Sequence, residues 1–140
     1  MTKKFRCDCP ITSSLDILGD KWVLVIIKLM LLQDKKTFKD FTESDEAIAT
    51  NILSSKLKYL EKLGIIVKKQ LPYNKKTNLY LLTEKGLALA PIIVELYIWS
   101  YENVRGLNKL MKESHGIDNI KRNKEAFIKM KQDNYRTKSS

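Results

Sequence analysis

Thr50–Gly64, TNILSSKLKYLEKLG, reads as an amphipathic helix. Leu53, Leu57 and Leu60 recur at helical spacing on one narrow face, with Leu63 beside it. The opposite face carries Asn51, Ser55, Lys58 and Lys62, flanked by Ser54 and Tyr59. Thr50 is placed to cap the N-terminus through its hydroxyl, and Gly64 suits the left-handed residue that ends a helix. Short polar side chains near the N-terminus let a backbone approach base edges, and lysines further along reach phosphates. A helix in a DNA major groove requires both. The same pattern describes a solvated surface helix, so the neighbouring segments decide between the two.

Upstream, Thr37–Thr42 predicts a short helix with Phe38 and Phe41 facing inward, followed by an acidic, looser stretch from Glu43 to Ala47. A short helix, a turn and a second helix with a polar outer face make a helix-turn-helix. Before it, Pro10 sits where helices tolerate proline, and Leu15, Leu18 and Trp22 share a face interrupted at Gly19 and Asp20. Trp22–Leu32 is almost wholly apolar and predicts the central core helix.

Downstream, Ile65–Lys69 and Asn78–Leu82 read as two strands around the turn chemistry of Pro72, Tyr73 and Asn74. Lys68, Lys69, Lys75 and Lys76 lie in this hairpin, and residues 65–83 hold no acid. Hairpin edges also use lysine against aggregation. Directly after a helix-turn-helix, however, a cationic hairpin predicts a wing that tracks phosphates. Thr83 and Glu84 then open another helix. The apolar content from Leu87 to Val104 exceeds what one small winged domain needs to cover, which predicts a homodimer. Its interface is expected at Ile93, Val94, Tyr97, Trp99, Tyr101 and Val104. Beyond Gly116 a basic helix capped by Asp118 is expected to run to about Gln132, on a thin stripe of Ile120, Phe127 and Met130.

The 140 residues, 44% hydrophobic, therefore predict a mostly α fold with a small β-hairpin wing. This is a winged helix-turn-helix with added N-terminal and C-terminal dimerisation helices. The expected division is an arm over 1–9, a DNA-binding and dimerisation domain over 10–104, a basic helical extension over 105–133 and a disordered tail over 134–140. The net charge of +10 gathers in the hairpin and the extension, which favours nucleic acid over an anionic membrane as partner. The longest apolar run is interrupted by Lys28 and too short to span a bilayer. No apolar signal segment follows Met1–Arg6, so a cytoplasmic protein is expected. A single histidine, His115, and no glycine-rich phosphate loop leave catalysis, a metal or a cofactor without support. RNA binding would need exposed aromatic platforms, for which only Tyr59 and Tyr73 qualify.

In order along the chain, Cys9-Pro10, Leu15, Asp16, Gly19, Lys21 and Trp22, then Phe38 with Phe41, Thr50 to Leu57, Leu60 and Gly64 carry a resemblance. Tyr80, Leu82 to Gly86, Pro91 and Trp99 complete it. Together they resemble the HxlR-type family of bacterial winged-helix regulators, related to the MarR group. The resemblance covers about residues 7–104. It implies a homodimer on a palindromic operator, with the N-terminal region and the long C-terminal helix at the interface. It also implies that Cys9 is a sensing thiol for oxidants, quinones or aldehydes, with Cys7 the weaker candidate. Two features depart from the family pattern. The wing has Asn74, Lys75, Lys76 and Thr77 where prolines and an arginine are common, and the helix from Asp118 has no counterpart.

The residues give the thiol a physical basis as well. Cys9 lies at a helix start near Lys3, Lys4 and Arg6, which lowers a thiol's pKa, while Asp8 opposes them. The competing expectation is control by a small ligand held between the core and the dimerisation helix, lined by Trp22, Tyr97 and Trp99. Core packing accounts for those aromatics equally.

Overall fold

A computed structural model of the protein describes residues 4–113 and 116–139. The basic Lys3, the histidine His115 and the end of the tail at Ser140 lie outside the described residues. Through the centre runs α2 (Lys21–Gln33), whose Val23, Ile26, Ile27, Leu29, Met30 and Leu31 are all buried. Asp20 begins it by accepting a 2.7 Å hydrogen bond from the Trp22 amide, and Asp34 ends it in the left-handed region at φ 54°. Each fully buried side chain of this size stabilises the fold by about 1.5–3 kcal/mol, so α2 is the principal scaffold.

Around it are α1 (Pro10–Leu18), α3 (Phe38–Thr42), α4 (Thr50–Lys62), and the antiparallel hairpin β1 (Ile66–Leu71) and β2 (Asn74–Leu82). Then come α5 (Glu84–Leu87), α6 (Ala90–Asn103), α7 (Ile117–Arg122) and α8 (Lys124–Ser139). This is a mostly helical winged helix-turn-helix, as the residue pattern predicts. Leu53, Leu57 and Leu60 of α4 enter the same core as α2, Phe41 and Ile66.

Several local expectations are corrected. Ala49, not Thr50, is the N-cap of α4, and no side chain caps it; Thr50 is already helical and exposed. Phe41 is fully buried, but Phe38 lies at the surface, although three-residue spacing puts both near one face of the helix. That short helix is instead held by Thr37 and Asp40, each accepting the other's backbone N–H. The hairpin is longer than expected, since Leu71 pairs with Asn74 and only Pro72 and Tyr73 form the turn. Pro91 stands at the start of α6, where its missing N–H costs nothing.

The largest correction concerns the C-terminus. The single helix expected to start at Asp118 is two, broken at Asn123, and 134–139 is helical rather than disordered. Tyr135 is the reason. Its ring is buried in the main core, and its hydroxyl accepts a 2.9 Å hydrogen bond from the Leu82 amide. Gln132 donates to the Leu87 carbonyl, Arg136 pairs with Glu84, and Lys138 with Asp34. The last helix therefore packs as part of the main body, joined to α2, α5 and the root of the hairpin.

Candidate nucleic-acid interface

On α4, the expected reading face is open. Thr50, Asn51, Ser55, Lys58 and Lys62 are exposed, and Ser54 is half-buried. The inner face is locked by the leucines, so rotation of the helix would bury those polar groups at a cost. Lys56, which the sequence pattern did not single out, forms a 2.8 Å ion pair with Asp20. One carboxylate thus caps α2 and tethers α4, and the Lys56 ammonium beside it, with the Trp22 amide, holds the Asp20 carboxyl below its usual range. In the turn between α3 and α4, Glu46 pairs with the half-buried Lys28 of α2. Ala47 in the same turn adopts φ 51°, a conformation few residues with a side chain take. The turn is thereby anchored to the core helix.

The far end of α4 is fixed to the hairpin and to α5. Gly64 takes φ 74°, as its position at the helix end requires. Thr83 donates its hydroxyl to the Gly64 and Ile65 carbonyls at 2.6 and 3.0 Å, and Lys85 donates to the Leu63 carbonyl at 2.8 Å. Gly86 permits this closeness, since a Cβ there would come within 2.4 Å of the Ile65 carbonyl oxygen. From the other side, the Tyr80 amide donates to the Lys36 carbonyl at 2.7 Å. Helix and wing consequently form one braced unit.

Lys68, Lys69, Lys75 and Lys76 are all exposed. Successive strand residues face opposite ways, so each adjacent pair divides between the two faces, and the wing is cationic on both. Asn74 orders the start of β2 by accepting from the Lys76 amide and donating to the Thr77 hydroxyl.

The expected dimer face divides. Ile93 and Val94 are buried within their own chain, Ile93 in the main core and Val94 against Ile98 and Ile117, and so are not free for a partner. The returning α7 and α8 cover them, and no pattern in α6 itself marks which apolar face they take. Tyr97 and Trp99 are exposed, Trp99 at 60%, together with Ile92 and Leu96. Tyr101 and Val104 are half-buried, and the Tyr101 hydroxyl accepts from Arg105. Ile11 and Leu15 of α1 are exposed as well, and an apolar groove lies between α1, α2 and α6.

At the start of α1, Cys9 is the N-cap and Cys7 before it is exposed; both thiols are free. The Thr12 backbone amide and hydroxyl, and then the Ile11 amide, hold the Cys9 thiol below the usual cysteine range. The helix start thus acts in the expected direction, whereas the neighbouring cations are not among the causes. Arg6 is engaged with Asp16 at 2.8 Å. Of the aromatics expected to line a ligand site, Tyr97 borders a cavity against α7 and α8, while Trp22 and Trp99 lie on other surfaces.

Among the described residues no helix is long and apolar enough to cross a membrane, and no cluster of His, Cys, Asp and Glu is placed to hold a metal ion. The model for HxlR-like helix-turn-helix proteins matches residues 17–108. The HTH-type transcriptional regulator YodB of Bacillus subtilis is 36% identical over 93 residues, covering 66% of this chain and 82% of YodB. The structure of reduced YodB superposes with a TM-score of 0.56 at 33% identity, over 69% of this chain and 95% of that one. Quinone-bound YodB gives 0.55 at 31%, over 67% and 99%. The redox regulator HypR in its reduced form gives 0.60 at 30%, over 71% and 97%.

Proposed function

Because the chain belongs to the HxlR-like helix-turn-helix family, and so to the HTH-type transcriptional regulators, we propose that it binds a palindromic DNA operator as a homodimer. We further propose that modification of Cys9 controls that binding. The observation that carries the first part is the open polar face of α4, held rigidly against a cationic wing. Asn51, Ser55 and Thr50 meet base edges, with Ser54 and Lys58 beside them, while Lys62 and the wing lysines neutralise phosphates. The partner subunit covers Ile11, Leu15, Leu96 and Trp99. The twofold places the two α4 helices about 34 Å apart, or a multiple of that. Residues 10–104 supply the DNA-binding and dimerisation surfaces, and α8 braces them.

Base contacts and phosphate contacts separate in a binding assay. Asn51→Ala should lower discrimination between operator and random duplex by about 1–3 kcal/mol, the usual value of a good base contact. Lys75→Ala should weaken both duplexes alike. Equal losses on the two duplexes from both variants would remove the assigned division.

For control, the Cys9 thiolate adds to an electron-poor ring carbon of a quinone. As the C–S bond forms, the attacked ring carbon gives up its C–H proton to one oxygen and a solvent proton goes to the other, so the ring takes up the electron pair and reaches the hydroquinone level. Quinone-bound YodB shows that a similar protein takes such a compound. In a Cys7→Ser protein, alkylation of Cys9 by iodoacetamide should reach half its maximal rate at a pH below the ordinary cysteine value. DNA release by a quinone should persist in Cys7→Ser and vanish in Cys9→Ser. Release that survives in Cys9→Ser would assign the sensing elsewhere.

A further inference from the structure

We propose that Cys7 and Cys9 together hold one soft, two-coordinate metal ion, Cu(I), between their sulfurs. The two thiols are free and stand two residues apart, with Asp8 between them. Two residues of chain span at most about 7 Å, and the chain bends through 6–8, which brings the flanking residues closer still. Cα atoms at that separation allow two sulfurs to be joined. A direct S–S bond would draw the sulfurs to about 2.05 Å across a single intervening residue. An ion between them lets them stay roughly twice as far apart.

Both ends of this arch are fixed. Before it, the Arg6 amide and guanidinium both donate to the Asp16 carboxylate, at 3.3 and 2.8 Å. After it, the Cys9 carbonyl accepts from the Ser13 amide at 2.8 Å and opens α1. The arm is thus laid back on α1, with Cys7 exposed and Cys9 half-buried. Fixing both ends lowers the conformational cost of bringing the thiols together. The Thr12 amide and hydroxyl and the Ile11 amide, which favour the Cys9 thiolate, orient that sulfur as supporting contacts orient a metal ligand.

The donor set selects the ion. Among the described residues no third His, Cys, Asp or Glu joins the pair to make a site of three or more ligands, and the Asp16 carboxylate is taken by Arg6. Structural zinc takes four protein ligands and iron–sulfur clusters are held by four, so two sulfurs serve neither. Calcium and magnesium take oxygen ligands. Thiolates favour Cu(I), which is content with two of them. On binding, each thiol gives up its proton, and neither copper nor sulfur changes oxidation state. Cys7 thereby has a part that the quinone reaction of Cys9 does not need, and binding of the ion does not rest on the regulator assignment.

The test uses the reduced full chain without oxygen, with Cu(I) supplied as its coloured bicinchoninate complex. The protein should bleach the complex by taking one Cu(I) per chain, and equimolar Zn(II) should not displace it. Iodoacetamide should label both cysteines of the free protein and neither cysteine of the loaded one. Cys7→Ser and Cys9→Ser should each weaken retention by about a hundredfold or more, at least what loss of a supporting contact costs. Release of DNA by a quinone should persist in Cys7→Ser, so that variant tells failure of the copper site from failure of Cys9 control. No transfer of copper, one copper per two chains, displacement by zinc, or a Cys7→Ser protein that holds copper as the wild type does would each overturn the site. Stoichiometry and protection are read on the wild type, so they do not depend on how well either variant folds.

Discussion

Replacing Lys68, Lys69, Lys75 and Lys76 together by glutamine is expected to weaken binding to any duplex by about a hundredfold or more at low salt. The effect comes from counterions. Each lysine that neutralises a phosphate releases bound cations, and contributes about 0.9 to the slope of log affinity against log salt. Four such residues per protomer on a twofold site give a loss of slope of up to about 7. The fold should be undisturbed, because all four side chains are exposed and none forms an ion pair among the described residues. The hairpin is held instead by its ladder and by the contacts of Tyr80, Thr83 and Tyr135. The preference for operator over random duplex should be kept, since α4 still reads the bases. A variant with an unchanged salt slope would mean that the wing lysines serve only to keep the hairpin edge from pairing with other strands.

How much of this was legible in the sequence depends on which physical signal each element leaves. Periodicity marks α2 and α4 plainly, because their apolar residues meet one continuous core. Lysine excess and turn residues mark the wing, although the ladder extends beyond the expected strands once Asn74 orders the turn. The polar face of α4 was legible for the same reason as its leucines: the two faces imply each other. Partnership was not legible. Helix α6 is apolar on several faces, and Ile93 and Val94 look no different in sequence from Leu96 and Trp99. Only the packing of Ile93 into the main core and the return of α7 against Val94 decide that the first two are covered by their own chain. Lys56 gives no sequence signal because its partner, Asp20, is distant along the chain, and charge pairs of that kind leave no periodic trace. The order of residues 134–139 is hidden for a related reason. The segment offers one aromatic among polar residues, and what orders it is a hydrogen bond spanning more than fifty residues.

That bond sets the second large effect. Tyr135→Ala should lower stability by about 3–5 kcal/mol, the usual loss for truncating a buried aromatic, and depress the melting temperature by about 10 °C or more. Tyr135→Phe keeps the packing and removes the acceptor, leaving the Leu82 amide buried without its partner, for a loss of about 1–3 kcal/mol. Hydrogen exchange at Leu82 should accelerate in both variants, and α8 should fray in the alanine variant. Alkaline titration gives an independent check. Burial raises the Tyr135 phenol, the Asp34 charge adds to this, and the Leu82 amide partly opposes both. A phenol whose folded pKa lies above its unfolded value contributes stability that is complete below about pH 10 and is lost as pH rises towards the folded value. Tyr80 is raised too, by its own burial, so the wild type and the phenylalanine variant share that part of the loss. The difference between their stabilities should therefore shrink above about pH 10. If Tyr135→Ala melts as the wild type does, α8 is not docked, and the wing is held by Thr83 and Tyr80 alone.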